Sequence, residues 1–132
     1  MIPQAAATIL LFTDGEDNAS LTSAKDAVDE CQRTNTAIYV FRAEPEASFL
    51  GGPKTLTELA SKSGGRVFYD DDSDAAIYND LRIMEADLRN QYRVVYKPAE
   101  LRHDGSFHRI ELRGPERVGS INIRAGYYAP AH

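Results

Sequence analysis

The sequence predicts an α/β fold, with a parallel sheet and flanking helices followed by a C-terminal antiparallel β-hairpin. Over residues 1–98, short apolar runs alternate with segments of helical periodicity, and strands that alternate with helices build a parallel sheet. From residue 107 onwards, apolar and polar residues alternate singly on both sides of a turn, which is typical of a hairpin with one exposed face. We therefore expect residues 1–98 to form a partial α/β domain and residues 99–132 a hairpin packed on it.

The first strand and helix are predicted from the opening third of the sequence. Ala6–Phe12 is a short apolar run closed by the turn sequence at 13–15, which is typical of a strand buried on both faces. Residues 20–34 have apolar side chains three and four positions apart, as on one face of a helix, with Ser20 as the N-cap. Cys31 lies on that face and is predicted to be a buried small side chain rather than a reactive thiol.

The same alternation continues through the second helix. Ala37–Phe41 is again wholly apolar and is predicted to be a second buried strand. Thr55–Glu58 has the capping-box pattern that starts a helix, and Gly64-Gly65 supplies the left-handed residue that commonly ends one. Arg66–Tyr69 is then predicted to be a short third strand.

The third helix has the most regular apolar stripe of the chain. Ser73 is its predicted cap, and the surrounding aspartates of 70–74 complement the helix dipole. They lack the glycine and the distal glutamate of a calcium loop, so capping is predicted rather than ion binding. Tyr92–Tyr96 follows as a fourth strand. The stripe consists of Ile77, Leu81, Met84 and Leu88.

The predicted hairpin follows a Rossmann-like parallel sheet and adds a pair of antiparallel strands at the C-terminal end of the chain. Its strands are predicted at 108–112 and 121–124, on either side of a turn at 114–117. His108 shares the apolar face of the first of these strands, so we predict a packed or partly exposed strand histidine rather than a catalytic one.

The composition narrows the classes of function. The chain has 132 residues, the size of one domain, and a formal net charge of −5. Nucleic-acid binding needs Lys and Arg to displace phosphate counterions, and an anionic membrane surface attracts a basic cluster, so neither partner is predicted. No run reaches the ~20 apolar residues that span a bilayer. The one cysteine forms no internal disulfide, and we expect no export signal within this sequence.

The loop after the first strand is the strongest candidate for a binding site. Ligands of open parallel sheets sit at the carboxyl ends of the strands, and carboxylates with hydroxyls suit a hard cation such as Mg²⁺ or Ca²⁺. The glycine of this loop allows a sharp turn directly after the strand. The loop consists of Thr13, Asp14, Gly15, Glu16 and Asp17.

An apolar strand that runs into Thr-Asp-Gly at 13–15 and then into a helix resembles the fourth strand and following loop of von Willebrand factor A domains. Further stretches resemble a bacterial branch of that family, the von Willebrand-related proteins abundant in acidobacteria. The resemblance extends over nearly the whole chain and implies the C-terminal half of such a domain. The stretches are Leu-Thr-Glu-Leu-Ala (56–60), Ser-Gly-Gly-Arg-Val-Phe (63–68), Leu-Arg-Asn-Gln-Tyr (88–92), Phe-His-Arg-Ile (107–110) and Arg-Ala-Gly-Tyr-Tyr-Ala-Pro (124–130).

The resemblance implies one ligand of a metal-ion-dependent adhesion site. In that family three loops build the site, and they supply Asp-x-Ser-x-Ser, a Thr and the Asp of a Thr-Asp-Gly-like motif. Asp14 matches the last of these, framed by Thr13 and Gly15, while Glu16 and Asp17 match no ligand position. Asp-x-Ser-x-Ser does not occur in the sequence. Because Mg²⁺ and Ca²⁺ take six or more oxygen ligands, we expect the ion in an intact parent domain and not tightly bound to this chain alone.

The resemblance also implies an open sheet edge. The family's first strand pairs with the strand that Ala6–Thr13 resembles, and the resemblance places that strand before residue 1. An unpaired edge invites pairing with another chain, so we expect a homo-oligomer or poor solubility. The alternative is that the hairpin at 107–124 covers this edge. The residues expected to drive self-association are Ile9, Leu10, Leu11 and Phe12.

Three functions follow from these expectations. The first is a non-enzymatic adhesion-type module for a protein ligand, the second is a structural fragment without a ligand of its own, and the third is a metal-dependent hydrolase using the acidic cluster at 14–17. The sequence has no Gly-x-Ser-x-Gly elbow, no zinc-ligand spacing and no P-loop, so binding is favoured over catalysis. Relatives in the resembled branch are exported, which implies a periplasmic or extracellular location.

Overall fold

The computed structural model of the chain describes residues 7–13, 23–42, 52–69, 73–100, 102–115 and 121–131. The described strands form a three-stranded parallel sheet in the order β1-β2-β3 and a separate two-stranded antiparallel sheet, β4-β5. The predicted α/β class, a parallel sheet with flanking helices and an antiparallel pair after it, is therefore confirmed. In chain order the elements are β1 (Ala7–Thr13), α1 (Ala24–Thr34), β2 (Thr36–Arg42), α2 (Gly52–Ser63), β3 (Val67–Tyr69), α3 (Asp74–Arg89), β4 (Phe107–Arg109) and β5 (Gly126–Tyr128).

The core lies on both faces of the central strand β2. On one face, Ile38 and Val40 pack against Cys31 of α1 and Ala60 of α2. On the other face, the aromatic residues of β2 and β3 pack against the apolar stripe of α3, and this cluster contains Tyr39, Phe41, Phe68, Leu81, Ile83, Met84 and Leu88. The predictions of a buried β2 and a buried Cys31 are confirmed.

The prediction that the first strand is buried on both faces is wrong. Ile9, Leu10 and Phe12 are exposed over 48%, 42% and 64% of their surfaces. The buried clusters consist of residues of β2, β3 and the helices, and Leu11 of β1 packs against one of them. Within the described residues β1 pairs with β2 alone. An apolar run shows that a strand has buriable side chains, but only the tertiary arrangement supplies the layers that bury them.

The structure corrects the predicted first residues of helices α1 and α2. α1 begins at Ala24 and is capped by Ser23, whose Oγ accepts a hydrogen bond from the Asp26 backbone N–H at 3.2 Å; the predicted cap, Ser20, lies outside the described residues. α2 begins at Gly52, so the apparent capping box at 55–58 lies inside the helix. For α3, the predicted cap is confirmed because Ser73 Oγ accepts from the Ala76 N–H at 3.2 Å.

The segment between α2 and β3 makes the closest backbone approach of the fold. Gly64 ends the helix with the predicted left-handed conformation, at φ 91°. Ser63 Oγ accepts from the Ile38 N–H at 3.0 Å and donates to the Ala60 carbonyl at 2.9 Å. Gly65 lies so near β2 that a Cβ atom built there would be 1.9 Å from the Ile38 carbonyl oxygen. The hydrogen bonds of the Ser63 hydroxyl and the lack of a side chain at Gly65 thus allow this segment to pack closely against β2 before β3 begins.

The predicted fourth strand and the predicted hairpin pairing need correction. Residues 92–96 form no ladder and are exposed; their composition suits a strand, but a strand also needs a neighbour to bond. In the antiparallel sheet, His108 pairs with Tyr127 and Phe107 with Tyr128. The paired residues therefore lie farther from the turn than the predicted strands at 108–112 and 121–124.

The antiparallel sheet packs on α1 and the end of α2. The Ala125 N–H donates to the Lys62 carbonyl at 3.1 Å, and Arg124 Nη1 donates to Asn35 Oδ1 at 3.1 Å. The guanidinium of Arg33 lies over the Tyr128 ring, 3.9 Å from its centroid. Within the described residues β1 pairs with β2, and β4 pairs with β5, so the antiparallel sheet adds no strand to the edge of β1.

Candidate functional site

The carboxyl ends of the three parallel strands lie in one row. Thr13 is the register partner of Arg42, and Arg42 is the register partner of Tyr69. This edge is where open parallel sheets bind ligands, and Thr13 occupies the strand end as predicted. The remaining loop residues, Asp14, Gly15, Glu16 and Asp17, lie outside the described residues.

Arg42 is a feature of this edge that the sequence reasoning missed. Its side chain is almost completely buried. The strand end beside Thr13 therefore holds a guanidinium group inside the fold, next to the predicted acidic loop. The sequence alone could have indicated an arginine at this strand end, because Arg42 directly follows the apolar residues of β2.

Across residues 7–13, 23–42, 52–69, 73–100, 102–115 and 121–131, no three His, Cys, Asp or Glu side chains come together as a metal-binding group. Asp14, the residue that resembles a metal ligand, is not in those ranges. The binding of Mg²⁺ or Ca²⁺ therefore stays a prediction.

The exposed edge of β1 is the most apolar strand surface among the described residues. Side chains alternate across a strand, so Leu10 and Phe12 share the face of Tyr39 and Phe41, their register partners, while Ile9 shares the opposite face. No charged residue and no proline lies within β1. These are the devices that usually protect an edge strand from pairing with other chains.

A cluster at the antiparallel sheet was also missed. Ser106 Oγ lies 3.2 Å from His108 Nε2, and the His108 ring stacks on Tyr127 with centroids 5.2 Å apart. Asp104 Oδ1 accepts from the Ser106 N–H at 2.9 Å, which is the geometry of an Asx-turn. The Asp104 carboxylate is hydrogen-bonded to the serine backbone and not to the imidazole. In an activated Ser-His-Asp nucleophile the carboxylate orients the histidine, so this arrangement differs from such a triad. The predicted packed histidine is in place, half-buried in β4.

A second polar group links β5 to α1. Tyr128 donates a hydrogen bond to the Asp29 carboxylate, which holds the pKa of Asp29 below its ordinary value, with further lowering from Lys25. Lys25 Nζ lies 3.2 Å from Asp29 Oδ2. The same hydrogen bond, followed by burial, raises the pKa of Tyr128. This network fixes the antiparallel sheet against α1.

Replacing Tyr128 by phenylalanine should flatten the pH dependence of stability. The lowered pKa of Asp29 contributes stability above its unfolded pKa of about 3.9, and this is lost as the pH falls through the folded pKa. The raised pKa of Tyr128 contributes below its unfolded pKa of about 10 and is lost as the pH rises through the folded pKa. We expect Tyr128→Phe to lower the free energy of unfolding at pH 7 by about 1 kcal/mol.

Urea unfolding between pH 3 and pH 11 measures this change. Tyr78→Phe is the matched control, because Tyr78 is 71% exposed on α3, and it should follow the wild-type curve. A Tyr128→Phe curve parallel to that of the wild type at both pH extremes would contradict the assigned hydrogen bond.

Comparisons with known proteins bear on the fold alone. No protein-family model matches the chain, and no curated protein matches it. Among solved structures, the chain is similar to an uncharacterized membrane-spanning protein from Vibrio fischeri, with 21% sequence identity and a TM-score of 0.50. The match covers 64% of this chain and 47% of that protein, so the chain spans about half of its length. Similarity at this identity supports a shared fold, and the resemblance to von Willebrand A domains stays a prediction.

This match corrects the expected location. The family resemblance implies a periplasmic or extracellular protein, whereas the similar structure is of a membrane-spanning protein. Within the described ranges, the structure contains no helix with the length and apolar character needed to cross a bilayer. The periplasmic or extracellular assignment is therefore withdrawn.

Proposed function

We propose that the chain is a non-enzymatic protein-binding module that accepts an extended segment of another polypeptide along β1. The observation that carries this proposal is the exposed edge of β1, where three large apolar side chains are 42–64% exposed and no charge or proline protects the strand. Strand addition at an open edge gives affinity through main-chain hydrogen bonds and specificity through alternate side chains.

The arrangement of layers supports this function over that of an inert fragment. β2 is buried on both faces by helices, whereas the neighbouring β1 carries equally apolar side chains without that cover. Exposed contiguous apolar surface of this kind marks interaction sites in soluble proteins. When no other partner is present, the same edge is expected to pair with a second copy of the chain.

A second binding mode rests on the strand end at Thr13. Its position at the carboxyl end of a parallel strand supports an adhesion-type site of the von Willebrand A kind, with Asp14 as one ligand of Mg²⁺ or Ca²⁺ and the remaining ligands supplied from outside this chain. This mode predicts a protein ligand bound through the metal, and it differs from strand addition in its dependence on the cation.

Sedimentation velocity of the wild type and a Leu10→Lys variant tests the proposal. We expect the wild type to associate as its concentration rises, and the lysine to weaken this association at least about tenfold, because a charge on an edge strand opposes pairing. Val95→Lys is the matched control, since Val95 is 83% exposed but lies outside β1, and it should associate like the wild type.

Three outcomes are informative. Equal association by Leu10→Lys and the wild type would contradict a role for β1. A wild type that stays monomeric at about 1 mM and binds no strand peptide would contradict the proposed function altogether. Association that requires Mg²⁺ and is lost in Asp14→Ala would instead support the metal-dependent mode.

A further inference from the structure

A row of stacked aromatic rings crosses the parallel sheet. Phe12, Phe41 and Phe68 are register partners on β1, β2 and β3. The ring centroids are 4.9 Å apart at each step, with interplanar angles of 18° and 22°. This distance equals the spacing of about 4.7–4.9 Å between neighbouring strands, so each ring lies directly beside the next along the hydrogen-bonding direction.

The row ends in a buried ring on β3 and in an exposed ring on β1. Phe41 and Phe68 are each only 6% exposed, whereas Phe12 is 64% exposed. One face of the Phe12 ring rests on Phe41, so the opposite face of the ring points away from β2, towards the position of a strand added to β1. A fourth ring that continued the row would therefore lie beside Phe12, on the same face of the sheet and at the register position next to Phe12.

We propose that the segment that pairs with β1 carries an aromatic side chain at the register position beside Phe12, where its ring becomes the fourth in the row. This inference rests on the proposed function and names the chemistry of the partner. An aromatic ring buries the open face of Phe12 and gains a stacking contact beyond its buried area. An aliphatic side chain gains the burial alone.

The rest of β1 defines the neighbours of that aromatic residue. Leu10 lies two residues from Phe12 on the same face, and Ile9 lies on the opposite face. Both are exposed and uncharged, so the partner segment carries apolar side chains on both faces. A second copy of the chain fits this description less well, because full-length antiparallel pairing of two β1 strands places Thr8 opposite Phe12.

Matched peptides test the inference. Each is a nine-residue threonine–valine peptide with lysine at both ends and one central residue, which is phenylalanine, cyclohexylalanine or leucine. Cyclohexylalanine keeps the size and apolar character of phenylalanine without the aromatic ring. Dissociation constants are measured by NMR titration, from the shifts of the backbone amides of residues 7–13 in the wild type and in Phe12→Leu. The variant is expected to stay folded because Phe12 is largely exposed.

We expect the phenylalanine peptide to bind the wild type about two- to tenfold more tightly than the cyclohexylalanine peptide, and this preference to vanish in Phe12→Leu. Equal binding of the three peptides to the wild type, or a preference that persists in Phe12→Leu, would overturn the aromatic position while leaving strand addition in place. Absence of amide shifts along residues 7–13 with every peptide, in a wild type that also stays monomeric, would overturn the proposed function itself.

Discussion

Phe41→Ala should lower the free energy of unfolding by about 3–5 kcal/mol. Phe41 is the middle ring of the aromatic row and lies in the cluster between β2 and α3. Truncation removes its contacts with both neighbouring rings and leaves a cavity that the sheet cannot close, because the backbone of β2 is bonded to strands on both sides. A domain of this size is stable by about 5–15 kcal/mol, so the variant loses a large share of its stability.

Phe12→Ala is the matched control for this experiment. The two residues are register partners on adjacent strands of the same face, but Phe12 is mostly exposed. We expect its truncation to cost at most about 1 kcal/mol. Urea unfolding at a protein concentration below the onset of association separates folding from edge pairing. Similar losses in the two variants would show that the row is not anchored in the core as described.

Gly65→Ala should destabilise the protein by about 3 kcal/mol, the upper end of the cost of overpacking. The added Cβ would lie 1.9 Å from the Ile38 carbonyl oxygen and 2.6 Å from its carbon. These are backbone atoms of the central strand, so neither can turn aside as a flexible side chain would. The chain must instead move β3 away from β2, and thermal or urea unfolding measures the loss.

Gly105→Ala separates the effect of space from that of backbone conformation. Gly105 has φ 70°, but a Cβ there would meet only the Ala131 Cβ, at 3.6 Å. Its substitution should cost about 1 kcal/mol, from the left-handed conformation alone. If Gly65→Ala cost no more than Gly105→Ala, the close approach between Gly65 and β2 would be refuted.

The parts of the fold that follow from local periodicity were predictable. The spacing of apolar residues predicts α1 and α3, and the short apolar runs predict β1, β2 and β3, because these patterns depend on residues a few positions apart. The helix starts were less predictable: Ser20 and Ser23 are equally good caps in isolation, and the capping-box pattern at 55–58 competes with a start at Gly52. Tertiary packing chooses between such alternatives.

Features that depend on distant pairing could not be predicted. The residues at 92–96 have the composition of a strand, yet they form no ladder, because composition does not supply a neighbour. The contact between Asp29 and Tyr128 depends on how the antiparallel sheet packs on α1, and the aromatic row depends on the register of three strands. Of the candidate site, the position of Thr13 was predictable from the end of the apolar run, whereas the exposure of the β1 side chains was not.

The unprotected β1 strand also affects how the chain emerges during synthesis. β1 ends at Thr13, and its neighbour β2 is complete only at Arg42, 29 residues later. At translation rates of about 5–20 residues per second, β2 is complete roughly 1.5–6 s after β1. Until β2 pairs with it, β1 lacks the strand that holds one of its edges in the fold. Formation of the parallel sheet therefore lags behind the synthesis of its first described strand by seconds.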